Sequence, residues 1–164
     1  MSAEFRKWED HINDGNHLIL DHPENIGSIG AISRTALAFG IHDIAVIDEN
    51  ILDTFDPSLI RSSMGARLKV HIEVFSCIEE YRSRFQKNQI YAFVLDEGAS
   101  RLEEARIIQP YTLAFGNESL GLPEAYRGFS QNVFIAQSEE VDSLNVCVAA
   151  AISLKVFTNP GPAF

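Results

Sequence analysis

The stretch HLILDHPENIGSIGAISRTALAFGIHDIAVI, residues 17–47, decides the fold. It opens on a strand-sized apolar run, HLIL (17–20), and breaks at a polar, glycine-containing loop. A helical pattern then runs over 28–39, closed by Gly40. A second run, DIAVI (43–47), follows after a short connection. Strand, helix and strand in close succession predict two parallel strands with a helix laid over them.

The same alternation continues along the chain. Four further runs are strand-sized and rich in β-branched or aromatic residues: KVHIEVF (69–75), IYAFVL (90–95), YTLAF (111–115) and NVFIA (132–136). Between them the pattern predicts a proline-led helix at Pro57, a helix over 78–86, a weaker helical stretch near Leu102 and another over 123–129. Six strands and their helices predict an α/β fold with a mostly parallel sheet flanked by helices. The final helix, predicted over 143–157, reads LNVCVAAAISLKVF through its length and is apolar almost all the way round. Such a helix needs burial on every side, so a second subunit is expected to cover it.

At 164 residues and 46% hydrophobic content, the chain matches one domain by the usual span of about 150 residues per domain. There is no internal repeat, low-complexity tract or linker, so residues 1–164 read as one minimal domain. No apolar run approaches the roughly 20 residues of a membrane span, and the N-terminus MSAEFRKWEDHINDG lacks the apolar core of a secretory signal. A cytoplasmic address is the default expectation. Cys77 and Cys147 form no CxxC pair, and the five histidines show no metal-ligand spacing, so no metal is expected. The formal charge of −10 argues against attraction of the whole protein to nucleic acid. Its distribution is uneven: Arg34 is the only formal charge within 25–42, and Arg61, Arg67 and Lys69 are the only ones within 57–72.

Three segments place glycine and polar residues at strand ends, where open α/β sheets hold ligands. In HPENIGSIGAISRTALAFG (22–40), Ser28 is placed to cap a helix carrying Arg34, but the spacing matches neither a dinucleotide fingerprint nor a P-loop. In LAFGNESLGLP (113–123), Glu118 sits between glycines on a loop, a position that packing does not require. In IAQSEEVDSLNVCVAAA (135–151) an acidic loop leads into the last helix. Asp142 and Ser143 are N-cap candidates there, and the amide of Asn145 needs a hydrogen-bond partner.

In this order and spacing the segments resemble the SpoU (TrmH-like) family of the SPOUT class of RNA 2'-O-ribose methyltransferases. The resemblance lies in SIGAISRTALAFG, FGNESLGL and SLNVCVAAA, with a further match at RSSMGA (61–66). It implies a C-terminal trefoil knot, S-adenosyl-L-methionine bound among the knot loops, tRNA or rRNA as substrate, and a homodimer with active sites at its interface. Arg34, Glu118, Ser143 and Asn145 match the family's catalytic positions. Leu95, Asp96, Gly98, Gly116, Asn117, Ile135 and Leu144 fall where its cofactor contacts do, mostly through main chain. Ser28, Arg61, Arg67 and Lys69 are the candidate RNA contacts.

Methyl transfer from a sulfonium needs an oriented, activated ribose hydroxyl, and the cofactor supplies the leaving group. An arginine pKa above about 12 makes plain proton abstraction difficult. The implied role of Arg34 is therefore to stabilise the developing alkoxide, with a phosphate as proton acceptor. Some positions depart from the family pattern. Its first-motif asparagine, six residues before the arginine, is Ser28 here, while an asparagine stands earlier at Asn25. IAQSE replaces the usual Ile-Pro-Met-x-Gly, and Cys147 stands where serine is common. A catalytically weak cofactor-binding or RNA-scaffold relative is the competing reading, and a flavodoxin-like nucleotide domain explains the strand pattern but not the SLN segment.

Overall fold

The computed structural model describes residues 7–158 apart from 51 and 97. Its centre is the unit read first in the sequence: β1 (His17–Asp21), α1 (Ile26–Ala38) and β2 (Asp43–Ile47), with His17 beside Asp43 and Asp21 beside Ile47 in parallel register. Then come α2 (Pro57–Ser62), β3 (His71–Phe75), α3 (Ile78–Arg84), β4 (Gln89–Phe93), β5 (Ser100–Arg101), β6 (Tyr111–Phe115), β7 (Gln131–Phe134) and α4 (Val146–Thr158). The strands form one sheet in the order β3-β2-β1-β6-β4-β7-β5, and each pairing is parallel.

Alternation along the strands separates two apolar layers. Leu18, Leu20, Ile44 and Val46 face α1 and α4, whereas Ile19, Ala45 and Ile47 face Phe75, Tyr81 and Tyr126 on the other side. With both faces covered, β1 is buried along its whole length.

The structure departs from the sequence reading mainly at element ends. The seventh strand, β5, has two exposed residues, too few to leave a pattern. The stretches near Leu102 and over 123–129 are short 3-10 turns, Leu102–Glu104 and Glu124–Gly128. The runs predicted to reach Leu95 and Ala136 leave the sheet at Phe93 and Phe134, which frees Val94–Asp96 and Ile135 for loops. Helix α1 begins at Ile26, two residues before Ser28, because Asn25 is the cap: its Oδ1 accepts the Gly27 N–H at 2.7 Å. Helix α4 likewise begins at Val146, and Asn145 is its cap in place of Asp142 or Ser143, accepting the Cys147 N–H at 2.9 Å.

Helix α1 lies close to α2 because residue 30 is glycine. A Cβ there would stand 2.7 Å from the Leu59 carbonyl oxygen and 2.9 Å from the Ser63 nitrogen. Helix α4 packs on α1 and buries Ala150, Leu154 and Phe157, with Phe157 edge-on to Tyr91 and Tyr111. Its opposite stripe is left uncovered by the described residues: Val148 and Ile152 are 47% and 37% exposed.

Candidate functional site

The C-terminal ends of β4, β6 and β7 open onto a cavity of about 860 Å³, closed on its fourth side by the segment before α4. This is where a parallel sheet places its ligands, since the strands end there and loops diverge. Leu95 and Asp96 enter from β4, Gly116, Asn117 and Glu118 from β6, and Ile135 from β7. Ser143, Leu144 and Asn145 complete the lining. Nine of the predicted residues thus come together in one cavity. Gly98 lies just beyond the lining, with its N–H donated to Asp96 Oδ1 at 3.2 Å.

The loop after β6 is compact because position 116 has no side chain. A Cβ on Gly116 would overlap the Gly121–Leu122 backbone. Asn117 organises the turn: its Oδ1 accepts the N–H groups of Ser119 and Leu120, both at 2.9 Å, and its backbone oxygen accepts Gly121 N–H at 2.8 Å. Three hydrogen bonds then tie this loop to the one before α1. Asn117 Nδ2 donates to the His22 carbonyl at 2.9 Å, Ser119 Oγ donates to Glu24 Oε2 at 3.1 Å, and Glu118 Oε2 accepts the Glu24 N–H at 3.0 Å. In a single chain, Glu118 therefore holds backbone and not the Arg34 guanidinium.

Arg34 is exposed on α1 outside the cavity, and among the described residues it has no hydrogen-bond or ion-pair partner. Ser28 lies where α1 meets α4, its carbonyl oxygen 3.7 Å from Cys147 Sγ. Arg61 and Lys69 are exposed beside Met64 and Leu68, which are 75% and 52% exposed.

Arg67 does not belong with these surface cations. Its side chain is 0% exposed and paired with Asp10 at 2.8 Å; it also donates to Thr54 O at 2.7 Å, Thr54 Oγ1 at 3.0 Å and Val70 O at 3.2 Å. The guanidinium lies 4.1 Å from the Phe55 ring centre. Four of its five donors are used inside the protein, fastening the N-terminal segment to the fold, and its burial keeps it from a phosphate.

Several lining residues carry no motif signal. Tyr126, 105 residues from Asp21 in sequence, donates its hydroxyl to the buried Asp21 Oδ2 at 2.6 Å, and His22 Nδ1–H donates to Oδ1 at 2.6 Å. The His22 pKa is raised, first by the hydrogen bond to Asp21, while burial and the Asp21 charge raise that of Tyr126. Arg127 pairs with Asp96 at 3.0 Å and with Glu124 at 3.6 Å. Phe93 and Phe115, on neighbouring strands, stack with ring centres 4.7 Å apart. Alternation marks these two as sheet residues, but local sequence does not pair Tyr126 with Asp21. Gln137, standing where methionine is usual, donates to Val141 O and Asp142 O at 3.4 Å, so this departure braces its own loop. Glu139 is exposed and outside the lining.

A parallel sheet whose strand-end loops and a helix start line a cavity defines an α/β protein with a candidate ligand site at the C-terminal ends of its strands. The chain belongs to the SpoU rRNA Methylase family, whose profile matches residues 15–155. It is 29% identical over 139 residues to the Bacillus subtilis 23S rRNA (guanosine(2553)-2'-O)-methyltransferase RlmP, covering 82% of this chain and 54% of that protein. It is 32% identical over 143 residues to the Streptomyces laurentii 23S rRNA (adenosine(1067)-2'-O)-methyltransferase, covering 85% and 53%. The chain spans about half the length of these curated relatives. Among solved structures, the SpoU methyltransferase AviRb from Streptomyces viridochromogenes in complex with AdoMet superposes with TM-score 0.80 at 25% identity, covering 92% of this chain and 60% of that one. A structure described for 2-OH methylation of C/U34 on tRNA gives TM-score 0.76 at 25% identity, covering 90% and 99%.

Proposed function

We propose that the chain is an S-adenosyl-L-methionine-dependent RNA ribose 2'-O-methyltransferase acting on tRNA or rRNA. The observation that carries this reading is the gathering of Glu118, Ser143 and Asn145 around one cavity with Leu95, Asp96, Gly116, Asn117, Ile135 and Leu144. The cavity fits the cofactor by chemistry. Phe93, Phe115, Leu122 and Val133 offer an apolar wall for a base, and Glu118 and Asp142 offer negative charge to a cationic methionyl group. When bound, that cofactor supplies an activated methyl group.

The protein's own contribution is placement. Glu118 fixes the loop before α1 through the Glu24 N–H, and Asn117 fixes it through the His22 carbonyl. Ser143 and Asn145 present polar groups at the start of α4. Arg34 stabilises the oxygen that attacks the methyl group, and its guanidinium, without a partner among the described residues, keeps its donors for that purpose.

On this reading the protein is a homodimer. Arg34 lies outside the cavity of its own chain, and α4 leaves the Val148–Ile152 stripe uncovered. A second copy against α1 and α4 would bury that stripe and bring an Arg34 to a cavity. The C-terminal trefoil knot is part of the same reading, carried over from the family match. So are a single catalytic domain and cytoplasmic work on RNA.

The test is incubation of purified protein with methyl-labelled cofactor and total RNA from cells lacking the protein, followed by nucleoside mapping. Label in a 2'-O-methyl nucleoside is the expected result. Cofactor binding without transfer to any RNA would favour the catalytically weak relative.

A further inference from the structure

We propose that Asp96, braced by Arg127, recognises the ribose hydroxyls of the adenosyl cofactor, an assignment that rests on the reading of the cavity as a cofactor site. Asp96 lies three residues beyond the end of β4 and lines the cavity with its side chain 25% exposed. Among the described residues each carboxylate oxygen has one protein partner: Oδ1 accepts the Gly98 N–H at 3.2 Å, and Oδ2 meets Arg127 Nη2 at 3.0 Å. A carboxylate offers about four acceptor positions, so about two are left over. A ribose presents two adjacent hydroxyl donors, which matches that remainder.

The other carboxylates of the lining are less suited. Glu118 is exposed and held by a single bond, from the Glu24 N–H, and the Glu124 side chain is 87% exposed. Asp142 is exposed, and no hydrogen bond to its carboxylate fixes it among the described residues. Asp96 alone among these four is drawn in and held from two sides. Arg127 reaches it from the Glu124–Gly128 turn, so the carboxylate is set between two separate loops and is oriented before a ligand arrives. Arg127 is accordingly a positioning residue. The stacked Phe93 and Phe115 lie on the strands flanking the Asp96 loop, which places an apolar wall for the base beside the group assigned to the sugar.

The experiment is calorimetric binding of S-adenosylhomocysteine and its 2'-deoxy and 3'-deoxy counterparts to the full chain. Hydrogen bonds to a charged acceptor predict that removing a hydroxyl costs the wild-type protein about tenfold in affinity. Asp96→Ala should bring the three ligands to nearly equal, weaker affinity. Arg127→Gln should lower the ratio while leaving some preference, and the thermal midpoint of each variant reports its folding. A wild-type protein indifferent to the hydroxyls, or an Asp96→Ala variant that weakens all three ligands equally, overturns the assignment. An unchanged ratio in Arg127→Gln removes the bracing role. Failure of the wild-type protein to bind any of the three defeats the cofactor reading itself and this assignment with it.

Discussion

Arg34 occupies an exposed position on α1 with no partner among the described residues, so its removal should leave the fold and the cavity undisturbed. Arg34→Ala is expected to lower methyl transfer on the order of 100-fold, the loss typical of removing one stabilising donor from a developing oxyanion. Cofactor affinity, measured by calorimetry, should stay near that of the wild type; an equal fall in both would place the arginine on the cofactor instead. His22 behaves differently, since its hydrogen bond to Asp21, with lesser help from the charges of Asp21, Asp48 and Glu49, raises its pKa above 6.5. Its stabilising contribution is thus complete below the unfolded value and fades as pH rises through the folded one. Buried His17, whose pKa is lowered by desolvation, contributes with the opposite sign. The informative quantity is therefore the difference between variants. From about pH 6 to about pH 8, stability of the wild type relative to His22→Gln should decline, as followed by thermal unfolding. A constant difference across that range would show that the Asp21–His22 contact has no protonation preference.

The element scale separates what local sequence encodes from what it leaves open. The strand segments and α1 were legible because alternation and helical period are local and both faces of the sheet are buried. Caps were misassigned because several capping residues stand near each helix start. Asn25 and Ser28 compete at α1, as do Asp142, Ser143 and Asn145 at α4, and residue type alone does not choose among them. Glu118 and Asn145 stood out from their strand-end and helix-start positions, and the motif resemblance supplied their expected roles; pairs such as Asp21–Tyr126 and Asp96–Arg127 were not legible, because they join distant segments. Arg67 shows the same limit in reverse, since its charge was visible in the sequence but its burial against Asp10 was not. Asn145 now carries a structural duty besides its proposed chemical one, and substitution can separate them. Asn145→Ala should cost about 1 kcal/mol, or about 2–4 °C in thermal midpoint, through loss of the cap. Asn145→Ser restores an equivalent cap without the amide. Recovery of stability in Asn145→Ser without recovery of turnover is the expected outcome; recovery of both would reduce Asn145 to a cap.

At the scale of the whole molecule, charge and association constrain each other. The proposed dimer doubles a formal charge of −10, to −20, so long-range attraction to RNA is poor and binding depends on local cations. Three of the four predicted cations are exposed for that purpose, Arg34, Arg61 and Lys69, while Arg67 is sealed in the fold. Log affinity for RNA should therefore fall with log salt at a shallow slope, about 0.7 per neutralised single-strand phosphate and roughly two to four phosphates in all. Charge reversal at Arg61 or Lys69 should weaken RNA binding without altering cofactor affinity. Arg67→Glu should instead unfold or loosen the N-terminal segment, because it would bury a like charge against Asp10. Light scattering at micromolar concentration should give twice the 18.3 kDa chain mass, and a charged residue at Val148 or Ile152 should shift that mass toward the monomer and lower activity together. A stable, active monomer would remove the shared site, leaving Arg34 outside the cavity that it is proposed to serve. A steep salt slope, or indifference to reversal at Arg61 and Lys69, would mean that RNA approaches another face or arrives on a basic partner protein.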